Sequence, residues 1–310
     1  MIVDVHYHHI PMLPEEMAPQ LAEDLLRMTR ILGREGDRRD LANRLLACQD
    51  PTGEKLLERM ETAGIDFQII CGIDNATSPL LTVELVQLQN RLVGEVAQKN
   101  PAKILGLAGV DPRRPQALDM LKQCFEEFGL KGLKYHCDYG FDPAGPESYK
   151  LLAYVEEQKG ILLSHTGPLH PPARPKYADP MLLADIGVDF PSLRVIAAHM
   201  GQCNWRPFAS LATMQPQLYG DLAMWSPYAL GRFELFCREL RDLIDYAGLE
   251  KVLFATDDPI ASCVVDTRQW IEVLRSLPDR APPGVRFSPS EVDAILGGNA
   301  ARMLGLDRSS

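Results

Sequence analysis

Short apolar runs alternate with longer amphipathic segments along most of the chain. Several of the runs, such as VIAA and VLFA, contain no polar position. Uninterrupted apolar runs are typical of strands that are covered on both faces, as in a parallel sheet. The pattern predicts eight strands, over residues 2–8, 67–72, 104–111, 132–136, 161–165, 195–199, 218–223 and 252–257.

The segments between these strands carry apolar residues at spacings of three and four, which indicates amphipathic helices. Helices are predicted over residues 54–63, 82–100, 115–128, 147–158, 180–190 and 231–246. Another begins at SPSEVDAIL, where Ser288 is placed as the N-cap, Pro289 follows, and Glu291 completes a capping box. Strict alternation predicts an α/β fold, a (β/α)₈ TIM barrel that forms a single domain over residues 1–310, with an open doubly wound sheet as the alternative.

Two stretches interrupt the alternation. Residues 9–53 follow the first strand and are rich in Arg, Leu and Asp, whereas residues 166–180 follow the fifth strand and contain five prolines. Barrel enzymes keep their binding loops at the carboxyl ends of the strands. We therefore expect both stretches to be long loop insertions that shape a substrate site.

Composition narrows the choice of partners. The 310 residues include 32 basic and 42 acidic side chains, for a net charge of −10, which argues against a nucleic-acid or anionic-membrane surface. No apolar run reaches the length of about 18 residues that crosses a bilayer, and MIVDVHYHH lacks the features of a signal peptide. The seven cysteines are scattered, with no Cys-x-x-Cys pair, and read as reduced thiols. These features predict a cytoplasmic protein with a small-molecule substrate, and a homo-oligomer is compatible with them.

Imidazoles mark the carboxyl ends of the predicted strands. Five of the seven histidines end a strand, namely His6, His8, His136, His165 and His199. In a parallel barrel these ends meet on one face, so positions far apart in sequence become neighbours. His6 and His8 lie two residues apart and point to the same side of the first strand. Imidazole suits zinc, iron, nickel or manganese, and the alternative for such a pair is two core histidines bonded to the backbone.

A carboxylate and a lysine complete the candidate site. Asp257 ends the eighth strand in VLFATDDP and is predicted to bind a metal and accept a proton, while Asp258 points the other way as an N-cap or surface acid. Lys134 and His136 share one face of the fourth strand in GLKYHCDYG. A lysine in the barrel mouth is costly unless it is paired or modified. Either Lys134 is carbamylated and bridges two metals, or it contacts an anionic substrate or a nearby acid such as Asp138.

With these residues assembled, the chain resembles the amidohydrolase superfamily over nearly its full length. It is most similar to the amidohydrolase-related group that includes the carboxymuconate semialdehyde decarboxylase and small lactone hydrolases. The resemblance rests on DVHYH, GLKYH, SHTG, FPSLRVIAAHMG, FATDDP and GGNAARMLGL. It implies that a divalent metal, usually zinc, is bound by His6, His8, His165 and Asp257. His199 would be a second-metal ligand or a catalytic residue.

The segment GLKYHCDYG is also similar to a stretch of urease that carries a carbamylated lysine. That similarity implies that Lys134 is a bridging ligand and that His136 is a substrate hydrogen-bond partner, so one or two ions are expected. Decarboxylase-type members generally lack this lysine. The sequence therefore favours a metal-dependent hydrolase of an amide, ester or lactone, with Asp257 and His199 as catalytic residues. The competing activity is non-oxidative decarboxylation, and a purely structural metal site is disfavoured because such sites are closed and cysteine-rich.

Overall fold

The structure, a computed structural model, describes residues 1–306, in which eight parallel strands pair in chain order from first to last. The neighbours along the sheet are consecutive in sequence, as the alternation of strands and helices predicts. The strands are β1 (Val3–His8), β2 (Phe67–Cys71), β3 (Ile104–Gly109), β4 (Gly132–Tyr135), β5 (Ile161–His165), β6 (Arg194–Ala198), β7 (Leu218–Asp221) and β8 (Val252–Leu253).

The last strand closes the sheet on the first. β8 pairs with β7, and the chain that follows it returns to β1 through backbone hydrogen bonds from Val5 N to Phe254 O (3.2 Å) and from His8 N to Asp258 O (2.7 Å). The buried carboxylate of Asp4 reinforces this seam by accepting hydrogen bonds from Gln68 Nε2 (2.6 Å) and Thr256 Oγ1 (2.6 Å). The result is a nearly closed, single-domain TIM barrel, so the predicted fold class is confirmed.

Helices cover the outside of the barrel. They are α1 (Ala18–Ile31), α2 (Arg38–Ala47), α3 (Glu54–Ala63), α4 (Val83–Lys99), α5 (Ala117–Glu126), α6 (Pro146–Glu157), α7 (Ala184–Asp189), α8 (Trp205–Met214), α9 (Ser226–Gly231), α10 (Phe233–Ala247), α11 (Thr267–Arg275), α12 (Leu277–Arg280), α13 (Pro289–Asp293) and α14 (Asn299–Leu304). The capping box of Ser288 and Glu291 is present at the start of α13. Over residues 1–306, none of these helices has the length and apolar character needed to cross a bilayer.

The two insertions differ in structure. Residues 9–53 are largely helical rather than a loop, because their apolar residues recur at helical spacing: α1 buries Ala22, Leu25 and Met28. Arg27 of α1 reaches across the carboxyl face of the barrel and donates to Gln202 Oε1 (2.9 Å). Residues 166–180 contain only short 3₁₀ turns. Both insertions lie at the mouth, as predicted, but the first covers it with a helix.

The end of the eighth strand differs from the prediction. β8 stops at Leu253 and does not run to residue 257, and Asp257 has a left-handed backbone with φ of 63°. Strand alternation therefore does not set the direction of the next side chain. Asp258 is buried, bonded to the Thr267 hydroxyl and 3.6 Å from the Arg59 guanidinium. The expectation that Asp258 is an N-cap or a surface acid is wrong.

Candidate metal centre

Five imidazoles form a closed circle at the carboxyl end of the barrel. Each ring is at least nine-tenths buried. The centroids of successive rings are separated by 4.9 Å for His6 and His8, 5.6 Å for His8 and His136, 5.1 Å for His136 and His165, 4.9 Å for His165 and His199, and 5.2 Å for His199 and His6. The structure thus brings together all five histidines that the sequence placed at strand ends.

Two imidazoles of this circle and the neighbouring Asp257 carboxylate have donor atoms at the spacing of metal ligands. His6 Nε2 and His8 Nε2 are 3.1 Å apart, and Asp257 Oδ1 lies 3.5 Å from the first and 3.2 Å from the second. Ligands at 2.0–2.1 Å from a tetrahedral zinc are separated by about 3.3 Å. Asp257 Oδ1 is also a buried atom that has no hydrogen-bond partner within residues 1–306. The residues present therefore fit a divalent metal.

Hydrogen bonds to the surrounding backbone and side chains determine which nitrogen is free in three of the five rings. His6 Nδ1 is 3.0 Å from Asp221 Oδ2, and His199 Nδ1 is 3.1 Å from the carbonyl oxygen of Ala223. His165 Nε2 is 3.0 Å from the carbonyl oxygen of Gly167. Each of these nitrogens must carry the proton, because its partner only accepts. The opposite nitrogen keeps its lone pair, and this is how metal-binding histidines are commonly oriented.

Asp221 is a member of the site that the sequence analysis missed. Its Oδ1 accepts hydrogen bonds from the backbone of His199 (2.8 Å) and of Ala223 (3.1 Å), while Oδ2 orients His6. The ligand atoms of His6, His199 and Asp221 lie within 4.8 Å of one another. A carboxylate at the end of β7 was the available signal, since the same argument had identified Asp257.

Lys134 and His136 occupy one side of the circle. Lys134 Nζ is 2.9 Å from His6 Nε2, and no carboxylate oxygen of residues 1–306 lies within 4.0 Å of it. The alternative in which Lys134 contacts a nearby acid such as Asp138 is therefore not observed. Asp138 instead accepts a hydrogen bond from His136 Nδ1 (3.2 Å), which leaves the buried His136 Nε2 without a partner in the described chain.

Burial sets the protonation of most of the circle. It holds the pKa values of His6, His136 and His165 well below the ordinary value and also lowers that of His199, so these rings are neutral. Burial opposes protonation of His8 as well, but the Cys71 thiol and the Asp257 carboxylate raise the pKa of His8 to about 9.

Asp257 has the opposite shift. Burial by itself would raise its pKa, but the imidazoles of His6 and His8 outweigh burial and hold that pKa well below its usual range. The site therefore contains an ionised carboxylate among mostly neutral imidazoles, which is the state in which these side chains bind metals.

A buried cluster of histidines and a carboxylate at the carboxyl end of a (β/α)₈ barrel is the arrangement of metal-dependent TIM-barrel enzymes. The sequence model of the amidohydrolase family matches residues 81–306, and the chain belongs to this family. The resemblance stated from the sequence motifs is therefore confirmed.

Several similar proteins are named as decarboxylases. The 2-amino-3-carboxymuconate-6-semialdehyde decarboxylase of Dictyostelium discoideum is 22% identical in an alignment 301 positions long, which spans 84% of this chain and 78% of that protein. The structure is similar to dihydroxybenzoic acid decarboxylase from Polaromonas sp. JS666, solved with bound manganese and the inhibitor 2-nitroresorcinol (TM-score 0.67, 18% identity, 99% and 98% of the two chains). It is also similar to 5-carboxyvanillate decarboxylase from Sphingomonas paucimobilis (TM-score 0.62, 16% identity, 97% and 98%).

These comparisons overturn the predicted hydrolysis of an amide, ester or lactone. All three of these relatives are named as decarboxylases. The inference from Lys134 to hydrolysis was wrong because a metal-binding donor set serves either reaction. Which bond breaks depends on how the loops at the mouth hold the substrate, and spacing along the sequence does not encode that geometry.

Proposed function

We propose that this protein is a metal-dependent, non-oxidative decarboxylase of a small carboxylated molecule. The observation that carries the proposal is the convergence of His6 Nε2, His8 Nε2 and Asp257 Oδ1 within 3.1–3.5 Å of one another in a buried site. We assign these three residues, with His165, as metal ligands, and His199 as a further ligand or a catalytic residue. The decarboxylase relatives support this reaction over other uses of the same donors.

The chain's own residues supply a proton acceptor and a proton carrier. In decarboxylation the bond between carbon and the carboxyl group breaks, carbon dioxide leaves, and a proton takes its place on the carbon. A bound divalent metal supplies a Lewis acid that polarises substrate oxygens. His136 Nε2 is unprotonated, because Nδ1 carries the proton donated to Asp138, and it accepts a hydrogen bond from a substrate hydroxyl. Asp257, with His199 beside it, would relay a proton from solvent to the carbon atom that carbon dioxide leaves.

A cavity of about 460 Å³ at the mouth is the proposed entrance for the substrate. Its wall includes Tyr139, whose ring stacks on His136 with centroids 5.0 Å apart. Arg113 and Arg174 also line it. The Arg113 guanidinium is held by Asp111 Oδ1 (2.9 Å) and the Tyr139 carbonyl (3.1 Å), whereas the Arg174 guanidinium makes no hydrogen bond within residues 1–306. Arg174 is thus available to a carboxylate of the substrate.

In this proposal, the number of bound metal ions depends on whether Lys134 is carbamylated. If it is carbamylated, it serves as a bridging ligand between two ions; if it is not, its amine contacts the carboxylate of the substrate. Elemental analysis of wild-type protein and of Lys134→Met distinguishes the two. Loss of a second metal equivalent in the variant supports the bridging ligand, while unchanged metal content and activity would exclude it.

Three broader assignments accompany the proposal. Zinc is the proposed ion because of the nitrogen-rich donor set, with manganese, iron and nickel as alternatives. A cytoplasmic location is proposed because all seven cysteines are free thiols. A homo-oligomer also remains a proposal, to be checked by light scattering of the full chain.

The proposal is tested with the full chain loaded with zinc or manganese. It is incubated with dihydroxybenzoates, 5-carboxyvanillate and 2-amino-3-carboxymuconate-6-semialdehyde, and both carbon dioxide and the decarboxylated product are measured. We expect carbon dioxide release that His8→Ala abolishes together with metal binding. His9→Ala is the matched control, since it removes the neighbouring imidazole, which lies outside the circle. Consumption of the substrate without release of carbon dioxide, or turnover that persists in His8→Ala, would contradict the proposal.

A further inference from the structure

Two thiols from distant parts of the chain meet beside the loop that carries Asp257. Cys48 follows the last residue of α2, and Cys263 ends the turn Ala261–Cys263. Their sulfur atoms are 3.8 Å apart, and both face the carbonyl oxygen of Pro259, at 3.9 Å from Cys48 Sγ and 3.5 Å from Cys263 Sγ. Sulfurs in a disulfide are separated by about 2.05 Å. Formation of a disulfide therefore requires the two sulfurs to approach each other by about 1.8 Å.

Cationic side chains surround the pair. Lys55 Nζ donates to the backbone carbonyls on either side of Cys48, at 2.8 and 2.9 Å, and Arg44 Nη1 donates to the carbonyl of Cys263 (3.3 Å). The hydrogen bond with Cys263, helped by the Arg59 guanidinium, lowers the pKa of Cys48 to about 7, whereas the same bond and burial raise that of Cys263. Thiolates in cationic surroundings of this kind are the reactive ones.

The pair is also reachable from solvent. Cys48 is only partly buried, and Cys263 lines an open surface cavity of about 690 Å³ whose wall also includes Arg44, Lys55 and Arg59. A small polar oxidant can therefore approach the pair from this cavity without unfolding of the barrel. The other surface thiol, Cys203, is exposed and lies in a different cavity.

We propose that Cys48 and Cys263 form a redox-active pair that a two-electron oxidant of the peroxide class converts reversibly into a disulfide. The Cys48 thiolate attacks one oxygen of the peroxide, so that a sulfur–oxygen bond forms, the oxygen–oxygen bond breaks and hydroxide leaves. Cys263 then attacks the Cys48 sulfur, the sulfur–sulfur bond forms, and the oxygen leaves as water with the proton from Cys263. Two thiols are oxidised, one peroxide is reduced to two waters, and a dithiol reverses the change.

The position of the pair links this modification to the metal centre. Ala261 N, in the same turn as Cys263, donates to the carbonyl oxygen of Asp257 (3.1 Å). A disulfide would therefore tie α2, which belongs to the insertion at the barrel mouth, to the segment that positions a proposed metal ligand.

The test is a peptide map of the reduced full chain before and after treatment with a small excess of hydrogen peroxide. Free thiols are blocked with an alkylating agent, and the protein is then digested with trypsin. Cleavage after Arg44, Lys55, Lys251 and Arg268 places the two cysteines in peptides 45–55 and 252–268. We expect mass spectrometry to find these two peptides joined after peroxide treatment and separate again after treatment with a dithiol. This readout does not depend on substrate turnover or on the proposed reaction.

Two variants test which cysteines form the disulfide detected in the peptide map. Cys48→Ser should abolish the joined species and leave Cys263 fully alkylated, whereas Cys203→Ser, the matched change at the exposed thiol, should leave the joined species intact. Three results would overturn the proposal: both thiols remain alkylatable after peroxide, Cys48 is oxidised to a sulfinic acid while Cys263 stays free, or Cys48 pairs only with Cys203. The wild-type map alone decides between these results if a variant folds poorly.

Discussion

Replacing Asp221 with asparagine should weaken metal binding by inverting the tautomer of His6. Asp221 Oδ1 accepts two backbone hydrogen bonds, from His199 N (2.8 Å) and Ala223 N (3.1 Å), while Oδ2 accepts one from His6 Nδ1. An asparagine has one acceptor and one donor group in these places. It keeps its oxygen toward the two backbone N–H groups, because the opposite orientation would set its NH₂ against both of them. Its NH₂ group then faces His6 Nδ1, which must become an acceptor.

The substitution changes the protonation of His6 Nε2, the nitrogen that we assign as a metal ligand. With Nδ1 accepting, the proton of the neutral ring moves to Nε2, where a lone pair is required for ligation. Loss of such an orienting partner commonly costs 10- to 100-fold in metal affinity, which is about 1.4–2.7 kcal/mol. The side-chain volume is nearly unchanged, so the barrel is expected to fold as before.

Zinc affinity is measured by competition with a chromophoric chelator, on wild type and Asp221→Asn at one pH. The matched control is Asp138→Asn, which makes the same substitution opposite His136 Nδ1 (3.2 Å), a ring that we assign to substrate rather than metal. The control should leave zinc affinity within about threefold of wild type, well below the 10-fold loss expected at a ligand, and lower turnover. An Asp221→Asn protein that binds zinc as tightly as wild type would refute the assignment of His6 Nε2 as a ligand.

Three further predictions concern pH, stability and substrate binding. Because His8, with its pKa of about 9, must release a proton to bind zinc, affinity should rise about tenfold per pH unit between pH 6 and 8; a flat profile in competition titrations would contradict this. Asp4→Asn turns a donor group toward buried donors such as Gln68 Nε2, so urea unfolding of the chelator-treated protein should show a loss of about 2 kcal/mol, and a loss under about 0.5 kcal/mol would refute this. Arg174→Ala should raise KM for a carboxylated substrate about tenfold with little change in kcat. The control is Lys176→Ala, which removes a nearby cation that lies over the Tyr177 ring, and it should leave KM unchanged. An equal rise of KM in both variants would contradict a specific contact between Arg174 and the substrate.

The fold was predictable because its signals are local. The strands β1 to β6 end within one or two residues of the predicted ends. The insertion over residues 9–53 was expected to be a loop, although its apolar residues Leu25 and Met28 recur at helical spacing. These residues are buried only because another surface, which includes Met224, lies above them. That contact is tertiary, and the local sequence does not indicate which surface covers these residues.

The sequence predicted most of the residues that form the site but not how they are oriented. Convergence of strand ends brought the five histidines and Asp257 together, yet Asp257 arrives through a left-handed backbone and not through strand alternation. The partner of each imidazole also lies elsewhere in the sequence or in the backbone, as with Asp221 for His6 and the Ala223 carbonyl for His199. Spacing along the chain carries no information about these partners, and they determine which nitrogens are free.

His6 Nε2 has one lone pair and more than one possible partner. That nitrogen lies 2.9 Å from Lys134 Nζ and 3.1 Å from His8 Nε2. One lone pair serves one partner, so an ion that binds His6 must displace the lysine from this contact. A free ammonium then needs another acceptor, and the carboxylate of an incoming substrate supplies one, whereas a carbamylated lysine would join the ion as a ligand. We therefore expect metal loading, the state of Lys134 and substrate binding to depend on one another through this nitrogen atom.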